Sequence, residues 1–555
     1  MAASFKNAPL RTLAWLLLTM TMPAAGTAQA PASIGDFHIG GIVVNSITGE
    51  PLADARVSIV EVRNPRNMQS LITSEGGRFD FSHVPPGKFS LQAARRGFIT
   101  GTYDQHEQFS SAIVTGAGIE TGDLVLRIAP AAVLTGKVTE ENGEPVRQAA
   151  VTLFRQDQNL GVSRIERLAI AITDDLGEYE FASLRPGTYF VSAAANPWYA
   201  VHPASFQPRD GSRLPLLVDP SLDSVYPATY YSDVTDSDEA TPILLRGGDH
   251  PEIDIHLGPV PALHLLIHFP NDGRHGFQIP TLQKRVFDSV EGVQNLATES
   301  YVPGTLEVTG VPAGRYSIVL PGSGAGQPGT QADEVDLTTN GQSLDDLKGE
   351  PLGTLHASLR IEGQEKLPPH LGLVLQDTRK QTTAFQPADA KGELHFESLA
   401  PGTYSVLIVN GDRPYSVASI SSQGTRLPGS TINVTPGSSL SLSVTIDAAS
   451  VDVEGVVKRN GKIVPGAMVI LVPRHYQLAS SWRFRRDQSD LDGTFKFYGA
   501  APGSYLVIAI EKAWDLEWSR PAVLAGYVKN GQPLTITRQV QGTIHLPQPI
   551  EAQSK

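Results

Sequence analysis

The histidines of this chain are the residues that could hold a metal ion. His264 and His268 lie four positions apart in the run LHLLIHF, where alternation along a strand predicts that both side chains face outward. Imidazole nitrogens are common zinc ligands, so a site that also uses His256 is one interpretation. None of the 14 histidines begins a His-x-x-Glu or His-Glu-x-x-His pattern. We therefore predict exposed strand histidines and no metal centre.

Catalytic nucleophiles and paired carboxylates have little support either. The chain has no cysteine and no Gly-x-Ser-x-Gly motif, which removes two common kinds of nucleophile site. Asp174 and Asp175 could ligate calcium, but the ligands of a calcium loop recur over about a dozen residues, and here they do not. A polar turn is the interpretation that we prefer. The sequence predicts no catalytic residue, no cofactor and no enzymatic activity.

Aromatic side chains are the best candidates for ligand binding. Exposed rings offer flat apolar faces with a polar edge, which suits stacking on sugar rings or anchoring a protein partner. The same rings could instead pack long loops against the body of a domain. The sequence leaves both alternatives open for Trp482, Trp514 and Trp518. The predicted ligand-binding residues are Trp198, Tyr199, Tyr226, Tyr230 and Tyr231.

A segment that recurs five times indicates the elements that position these residues. In every copy two glycines lie ten positions apart, with aromatic or aliphatic residues at alternate positions. This pattern predicts two consecutive strands with one apolar face. The Pro-Gly pair between them predicts a type II turn with glycine at positive φ. The copies are Gly77–Leu91, Gly177–Val191, Gly304–Ile318, Gly392–Val406 and Gly493–Val507.

Opening and closing motifs flank this hairpin. Turn-and-strand openings occur at Gly49–Val57, Gly143–Val151 and Gly461–Val469, and alternating runs such as Leu124–Ile128 close the units. Together they predict an all-β fold, a tandem array of about five seven-stranded antiparallel β-sandwich modules. We expect modules at 38–129, 130–259, 260–350, 351–449 and 450–548, the third and fourth being divergent and the second carrying the aromatic insertion. Short linkers predict a semi-rigid rod.

The first thirty residues read as a secretory signal peptide. Lys6 and Arg11 precede the apolar run Leu13–Met22, and Ala28-Gln29-Ala30 forms a small-x-small cleavage pattern. No long apolar segment follows, so no membrane span is expected after cleavage. The absence of cysteine excludes disulfides and attachment through a lipidated cysteine. We predict an exported protein, either periplasmic, associated with the outer envelope or extracellular.

The net charge of the chain argues against a nucleic-acid partner. The formal charge is −13, and no basic cluster offsets it. Because phosphate neutralisation supplies most of the affinity for DNA and RNA, nucleic acid is not an expected partner.

Three motifs together resemble a known family. The Gly-x-Pro-x-x-x-Ala-x-Val opening, the Asp-x-x-Gly-x-aromatic-x-Phe turn and the Leu-x-Pro-Gly-x-Tyr hairpin are similar to carboxypeptidase regulatory-like domains. These are transthyretin-like sandwiches related to collagen-adhesin B-type repeats and starch-binding-like folds. The resemblance is strongest in the first, second and fifth modules. It implies stiffness and often adhesion or carbohydrate contact, and it does not imply peptidase activity.

The same resemblance raises the Lys–Asn isopeptide crosslink of collagen-adhesin repeats. Lys137 and Lys458 occupy plausible first-strand positions, but the closing strands Ile253–Leu257 and Thr543–Leu546 contain no asparagine. We predict no crosslink. The function predicted is that of an exported, non-catalytic binding or structural protein that contacts carbohydrate or cell-envelope partners. The alternative is an accessory chain that positions a separate peptidase or glycoside hydrolase.

Overall fold

The computed structural model describes most of the chain after the predicted signal peptide, which lies outside the described residues. The described residues are 37–555 except 117, 160, 204–218, 269–280, 294–295, 303–304, 321–329, 345–349, 363–366, 369, 378–382, 411–412, 428–430, 448–450, 477–482, 538–539 and 541. Five successive stretches of chain each enclose an apolar core of their own. We number the modules by these cores.

The first module shows the architecture in its simplest form. One sheet has the order β4-β1-β8, and the facing sheet has the order β3-β2-β5-β6 with β7 also paired to β5. The inward residues of both sheets, among them Ile39, Phe79 and Leu91, pack between the layers. Its strands are β1 (Phe37–Asn45), β2 (Arg56–Glu61), β3 (Met68–Ile72), β4 (Arg78–Val84), β5 (Gly87–Ala94), β6 (Gly101–Thr102), β7 (Ile113–Thr115) and β8 (Leu124–Ile128).

The second module repeats this plan. Its sheets have the orders β12-β9-β17 and β11-β10-β13-β15, with β16 also paired to β13. An insertion separates β13 from the closing strand β17. The strands are β9 (Ala132–Glu140), β10 (Ala150–Asn159), β11 (Val162–Ile172), β12 (Glu178–Leu184), β13 (Gly187–Ala194), β14 (Ser224–Val225), β15 (Thr229–Tyr230), β16 (Ile243–Leu245) and β17 (Ile255–Leu257). Short 3-10 helices occupy Pro220–Leu222 and Ser237–Glu239.

The third module begins beside the insertion of the second, because β14 pairs with β18. Its sheets have the orders β22-β23-β19-β26 and β21-β20-β24-β25-β27. The strands are β18 (Val260–Pro261), β19 (Leu263–His268), β20 (Thr281–Val286), β21 (Ser289–Gly292), β22 (Ala297–Val302), β23 (Thr305–Val311), β24 (Gly314–Leu320), β25 (Thr330–Leu337), β26 (Gln342–Leu344) and β27 (Glu350–Pro351).

The fourth module joins its two layers at one edge, since β33 pairs with both β32 and β36. The result is a single nine-stranded sheet folded around the core. The strands are β28 (Gly353–Ile361), β29 (Leu371–Asp377), β30 (Thr383–Pro387), β31 (Glu393–Leu399), β32 (Gly402–Asn410), β33 (Arg413–Ser422), β34 (Thr425–Leu427), β35 (Thr431–Val434) and β36 (Ser439–Asp447).

The fifth module is joined in the same way by β45, which pairs with β37 and β42. A second apolar cluster packs on the outer face of β39 and β42. The elements are β37 (Val451–Arg459), β38 (Lys462–Ile463), β39 (Met468–Pro473), β40 (Arg485–Gln488), β41 (Thr494–Ala500), β42 (Gly503–Glu511), α1 (Pro521–Leu524), a 3-10 helix at Val528–Asn530, β43 (Gln532–Ile536), β44 (Thr543–His545) and β45 (Ile550–Ser554).

These sheets confirm the predicted all-β array of tandem sandwich modules, with one addition. In every module the opening strand pairs in parallel with a closing strand: β1 with β8, β9 with β17, β19 with β26, β28 with β36, and β37 with both β44 and β45. A parallel partner requires a long crossover. In each module the chain that runs from the opening strand through the other strands to the closing strand supplies it. Sequence alternation alone does not distinguish this pairing from an antiparallel one.

The first glycine of the repeat lies in the left-handed region, as a tight turn requires. Gly177 has φ 73°, and its carbonyl accepts a 2.9 Å hydrogen bond from the Val138 amide of the opening strand. A Cβ at this glycine would lie 2.5 Å from the Val138 carbonyl oxygen. Glycine is required here by backbone conformation and by the close approach of two strands.

The prediction for the second glycine is wrong. Gly187 is not among the described residues with positive φ, whereas Ser183, four positions earlier, has φ 58° beside a register shift between β12 and β9. The predicted hairpin is also wrong, because β12 and β13 lie in facing sheets and do not pair: the chain bulges at Ser183 and crosses from one sheet to the other between Leu184 and Gly187. Glycine instead leaves room for the aromatic ring two positions on, since a Cβ at Gly503 would lie 3.1 Å from the Tyr505 ring.

That aromatic residue also satisfies the turn. The Tyr189 hydroxyl donates a 2.7 Å hydrogen bond to the Arg185 carbonyl, and the tyrosines of the third, fourth and fifth modules do the same. The first module has Phe89 at this position. There the Thr115 hydroxyl donates to the equivalent carbonyl, that of Pro85, at 2.7 Å. One buried backbone acceptor is thus paired by two different side chains.

Candidate functional site

The fifth module packs against the first, nearly four hundred residues earlier in the chain. Arg486 is only 6% exposed, and its guanidinium forms an ion pair with Glu107, with a 3.0 Å hydrogen bond from Nη1 to Oε1. The guanidinium carbon lies 4.8 Å, 5.5 Å and 5.1 Å from the ring centres of Phe109, Trp514 and Trp518. This arrangement combines a desolvated ion pair with cation–π contacts.

Polar contacts extend this junction. The Ser111 hydroxyl donates to the Ser489 carbonyl at 2.9 Å, and Asp490 accepts a 2.8 Å hydrogen bond from the Ala112 amide. Asp490 also pairs with Lys88. Burial raises the pKa of the Asp490 carboxyl, although Lys88 opposes that shift. Burial likewise raises the pKa of Asp487, which lies on β40, to about 7.

The fifth module also contacts the second. The Gln158 side-chain amide donates to the Asp515 carbonyl at 2.8 Å, and the Ser163 amide donates to Glu517 at 3.2 Å. Trp518 is 4% exposed and lies against Gly161, where a Cβ would be 2.4 Å from the indole ring. The predicted semi-rigid rod is therefore wrong, because the last module folds back onto the first two.

These contacts resolve the alternatives for the aromatic residues of the fifth module. Trp514 stacks on His106 with ring centres 4.9 Å apart, and Trp518 is buried. Both indoles pack the junction. Trp482 lies outside the described residues.

A cleft of about 1090 Å³ opens where the first, second and fifth modules meet. Three arginines line it: Arg127 on β8 of the first module, with Arg155 and Arg185 of the second. Asp157 lies beside Arg155 at 3.0 Å. The sequence analysis missed this site because its walls come from strands that are far apart in the chain. Arginine at outward strand positions gave no signal of its own.

The acidic residues of the cleft wall are largely paired. Glu107 pairs with Arg486, and Asp104 accepts a hydrogen bond from the Ser111 hydroxyl at 3.1 Å. Within the described part of the chain, Arg155 Nε and Gln158 Oε1 are buried without a hydrogen-bond partner. The cleft is thus lined by the acidic residues Asp104, Glu107, Asp157 and Glu166 as well as by the three arginines, and only Glu107 and Asp157 form ion pairs among the described residues.

A second cluster lies at the junction of the second and third modules. His264 Nδ1 lies 2.8 Å from Glu307 Oε1, and its Nε2 lies 2.7 Å from Asp223 Oδ2. The other oxygen of Asp223 lies 2.9 Å from His202 Nδ1. Asp223 and His202 belong to the insertion of the second module, so this Glu–His–Asp–His relay joins two modules.

The predicted exposure of His264 is wrong. Its side chain is 2% exposed, because the insertion of the second module covers the face of β19 that alternation assigned to solvent. Burial by itself lowers the pKa of His264. The hydrogen bonds and charges of Glu307 and Asp223 raise it by more than burial lowers it, so the net shift of the pKa is upward. Both ring nitrogens face carboxylates, which fits a structural imidazolium. A general base needs a ring nitrogen that reaches substrate.

The other predicted histidines lie apart. His268 Nδ1 is 3.0 Å from the Thr305 hydroxyl, and His256 is more than half exposed and pairs with Asp233 at 3.0 Å. Glu307, on an otherwise apolar strand, is the residue that could have indicated a buried charge pair. Among the described residues, no three His, Asp or Glu side chains are placed to hold a metal ion.

The five predicted ligand-binding aromatics do not form one surface. Tyr226 is buried, with its hydroxyl 3.1 Å from Glu140, and Tyr230 packs with Phe287 of the third module. Tyr231 is half-buried against the core. Trp198 is 83% exposed, and the half-buried Tyr199 meets it edge to face with ring centres 5.7 Å apart. The predicted ligand contact thus rests on Trp198 and Tyr199.

Burial of Tyr226 and Tyr230 has an electrostatic consequence. Removal from water raises the pKa of both phenols well above the ordinary value, and for Tyr226 the neighbouring Glu140 adds to the effect. The two hydroxyls are neutral donors in the protein interior.

Comparison with known proteins identifies a family for part of the chain. Residues 38–118 and 133–218 match the family model of the carboxypeptidase regulatory-like domain. No curated protein matches the chain. No helix in the described ranges has the length and apolar character needed to cross a membrane.

The chain is also similar to several solved structures, all at low sequence identity. The Bacillus anthracis TIE protein is 12% identical over 74% of this chain and 75% of that chain, with a TM-score of 0.18. The minor pilin GBS52 of Streptococcus agalactiae is 11% identical over 40% and 96%, with a TM-score of 0.21. The B1B2 repeats of the Staphylococcus aureus collagen binding protein are 10% identical over 74% and 99%, with a TM-score of 0.12.

Proposed function

Because the first two modules are carboxypeptidase regulatory-like domains, we propose that this chain is an exported, non-catalytic binding protein that contacts a carbohydrate or a cell-envelope partner. The modules supply a rigid scaffold, and the insertion of the second module supplies the contact. The observation that carries the proposal is the exposure of Trp198.

Trp198 differs from the other described tryptophans of the insertion and junction regions. Trp518 is 4% exposed in packed surroundings, whereas Trp198 leaves 83% of its surface to solvent. The exposed indole is available to a partner without any rearrangement of the module. Contact with Tyr199 at an interplanar angle of 90° orients the indole. An oriented flat face is what stacking on a pyranose ring or on a partner's apolar side chain requires.

The proposal is tested by binding to arrayed glycans and to cell-envelope extracts, using the chain without its predicted signal peptide. Trp198→Ala is expected to weaken binding at least tenfold, since aromatic anchors commonly contribute more than about 1.4 kcal/mol. Its unfolding midpoint should not change, because the indole is exposed. Tyr498→Ala removes another exposed ring, 57% accessible on β41, and serves as the matched control.

Failure of the proposal is easily recognised. Absence of any bound glycan or envelope component would contradict it, as would equal binding by the wild type and Trp198→Ala. Export is tested separately by fractionating cells and sequencing the mature N-terminus, which is expected at residue 31.

A further inference from the structure

We propose that the free edge of β11 in the second module docks an extended polypeptide segment of a partner protein, in which apolar residues alternate with lysine or arginine. β11 is the outermost strand of its sheet. Its side chains Leu168, Ile170 and Ile172 are 50%, 55% and 60% exposed. They lie on the outer face, since Ala169 and Ala171 between them pack against the core. The inference uses no residue of the insertion that carries Trp198.

The main chain of this edge selects a polypeptide. The Thr173 amide donates to the Ala149 carbonyl at 3.0 Å, on the side of β10. Because inward and outward residues alternate along an antiparallel ladder, the amides and carbonyls of Ile170 and Ile172 point away from β10. A free row of donors and acceptors at this spacing pairs with an added strand. A saccharide offers no matching row of amide groups.

The other half of the same edge already holds parts of neighbouring modules. The Ile165 amide donates to Asp288 of the third module at 2.8 Å. The Ser163 amide donates to Glu517 of the fifth module at 3.2 Å. The open stretch from Ala169 to Ile172 is therefore continuous with two established contacts between modules.

The equivalent strand of the fifth module shows that this position of the repeat docks polypeptide. By register, Ile170 of β11 corresponds to Arg486 of β40. Ile172 corresponds to Gln488 in the same way. In the fifth module these two positions hold a segment of the first module, through the ion pair with Glu107 and a hydrogen bond from the Gln488 side-chain amide. In the second module the same positions carry exposed apolar side chains instead.

The charge beside the apolar side chains selects basic residues. A hollow of about 500 Å³ is lined by Ala171 and Ile172 together with four carboxylates and one lysine. Lys137 pairs with Glu178 at 3.0 Å, so three carboxylates remain in excess. These are Asp174, Glu180 and Glu252. Partner side chains beside Ala171 would lie over this hollow, where lysine or arginine gains a favourable Coulomb interaction.

The same charge argues against a second copy of this chain as the occupant. Antiparallel pairing of two β11 strands about a two-fold axis would place both acidic hollows on one face of a joined sheet. Each chain also carries a net charge of −13. Repulsion between like charges therefore favours a basic partner protein over self-association.

The test measures binding of two fluorescent hexapeptides to the chain without its predicted signal peptide. One alternates lysine with valine, and the other alternates glutamate with valine. The lysine peptide is expected to bind at least about tenfold more tightly, and its advantage should shrink as salt is added. Methylation of the peptide amides that face β11 should abolish binding, because the edge then has no donor to pair with.

Variants of the edge sharpen this test. Ile170→Lys and Ile172→Lys each place a like charge on the docking surface and should weaken binding of the lysine peptide about tenfold or more. Leu244→Lys is the matched control, because Leu244 is 67% exposed on β16, away from β11 in the same sheet, and it should bind normally. Unfolding curves of all three variants should match the wild type, since the replaced side chains are exposed.

Four results would overturn the inference. They are equal binding of the two peptides, binding that survives amide methylation, unchanged binding in Ile170→Lys, and a wild-type dimer in sedimentation that Ile170→Lys dissociates. The last result would assign the edge to a second copy. Trp198→Ala is titrated in parallel and should bind the lysine peptide fully. This separates the edge from the proposed function, whose own test is binding to glycans and envelope extracts.

Discussion

The junction between the fifth and first modules and the junction between the second and third modules both bury a cation, but they neutralise it differently. Between the fifth and first modules, Arg486 pairs with Glu107 and lies against aromatic rings. Between the second and third modules, His264 lies between Glu307 and Asp223. A guanidinium is charged at every accessible pH, whereas an imidazolium loses its charge in mildly basic solution. A buried cation between modules is therefore charged at all pH values at one junction and loses its charge with rising pH at the other.

Both junctions also respond to pH, in different windows. The raised pKa of His264 stabilises the folded state below pH 6.5, and this contribution is lost as pH rises through the folded-state pKa. At the other junction the buried Asp487 carboxyl has a pKa of about 7 against an ordinary 3.8, so its ionisation destabilises the fold as pH rises between these values. Stability falls with rising pH in both cases, first through Asp487 and then through His264.

The largest effect is expected from His264→Gln. The substitution leaves Glu307 and Asp223 facing each other without a cation, and breaking a buried ion pair costs about 3–5 kcal/mol. Denaturant unfolding at pH 6 should show a loss of about this size. The same variant should show a shallower decline in stability above pH 6.5 than the wild type, with the contribution of Asp487 remaining. An equally steep decline in His264→Gln would show that another group titrates.

Arg486→Ala should have the next largest effect. Glu107 loses its partner and the aromatic rings lose the group between them, so we expect about 3 kcal/mol of destabilisation that does not depend on pH between 5 and 8. Small-angle scattering should also show an expanded chain as the fifth module separates from the first. Arg147→Ala is the control, because its exposed pair with Asp175 contributes less than about 1 kcal/mol. An unchanged scattering profile in Arg486→Ala would reject the junction.

A smaller effect of opposite sign is expected from Asp487→Asn. The amide removes the cost of a buried charge and keeps an oxygen for the Lys496 amide, which donates to Asp487 at 2.6 Å. Stability at pH 8 should therefore rise, by about 2 kcal/mol, since each pKa unit corresponds to about 1.4 kcal/mol and relaxation recovers part of the total. Between pH 4 and 7 the variant should lose stability less steeply than the wild type, with the contribution of Asp490 remaining. An equally steep decline would assign the titration to Asp490.

The smallest effect provides a baseline that leaves both junctions intact. Tyr189→Phe removes the hydrogen bond to the Arg185 carbonyl and should cost about 1 kcal/mol. Thr115→Val in the first module removes the equivalent bond and also the 2.9 Å hydrogen bond that the Gly87 amide donates to the Thr115 hydroxyl. A larger loss in thermal unfolding is therefore expected from Thr115→Val than from Tyr189→Phe. A loss from Tyr189→Phe as large as that from His264→Gln would remove the distinction between junction and hairpin.

The strands and cores were predictable because their signals are local. Alternation in the segments around Phe79 and Tyr179 fixes which side chains face inward, and the glycine of each turn is required by positive φ at Gly77 and Gly177. The parallel closing strands were not predictable, since alternation has no direction. The Pro-Gly turn was misassigned because a bulge at Ser183 takes the left-handed conformation instead.

The candidate sites were less predictable, because they depend on contacts between modules. His264 alternates correctly on its strand, but a neighbouring module covers its outer face. Likewise, Tyr226 and Tyr230 were predicted to contact a ligand, but both side chains are buried in the protein interior. Trp198 is exposed because no other part of the described chain lies over it.

The pairing of Arg486 with Glu107 closes a loop of 379 residues. Loop-closure entropy grows only slowly with length, so the thermodynamic cost of so large a ring is modest, but its formation must wait for the last module. Domains generally fold as units in order of synthesis. The junction of the first and fifth modules is therefore assembled at the end of biogenesis, and a chain truncated before β40 would contain four complete modules without the Arg486–Glu107 pair.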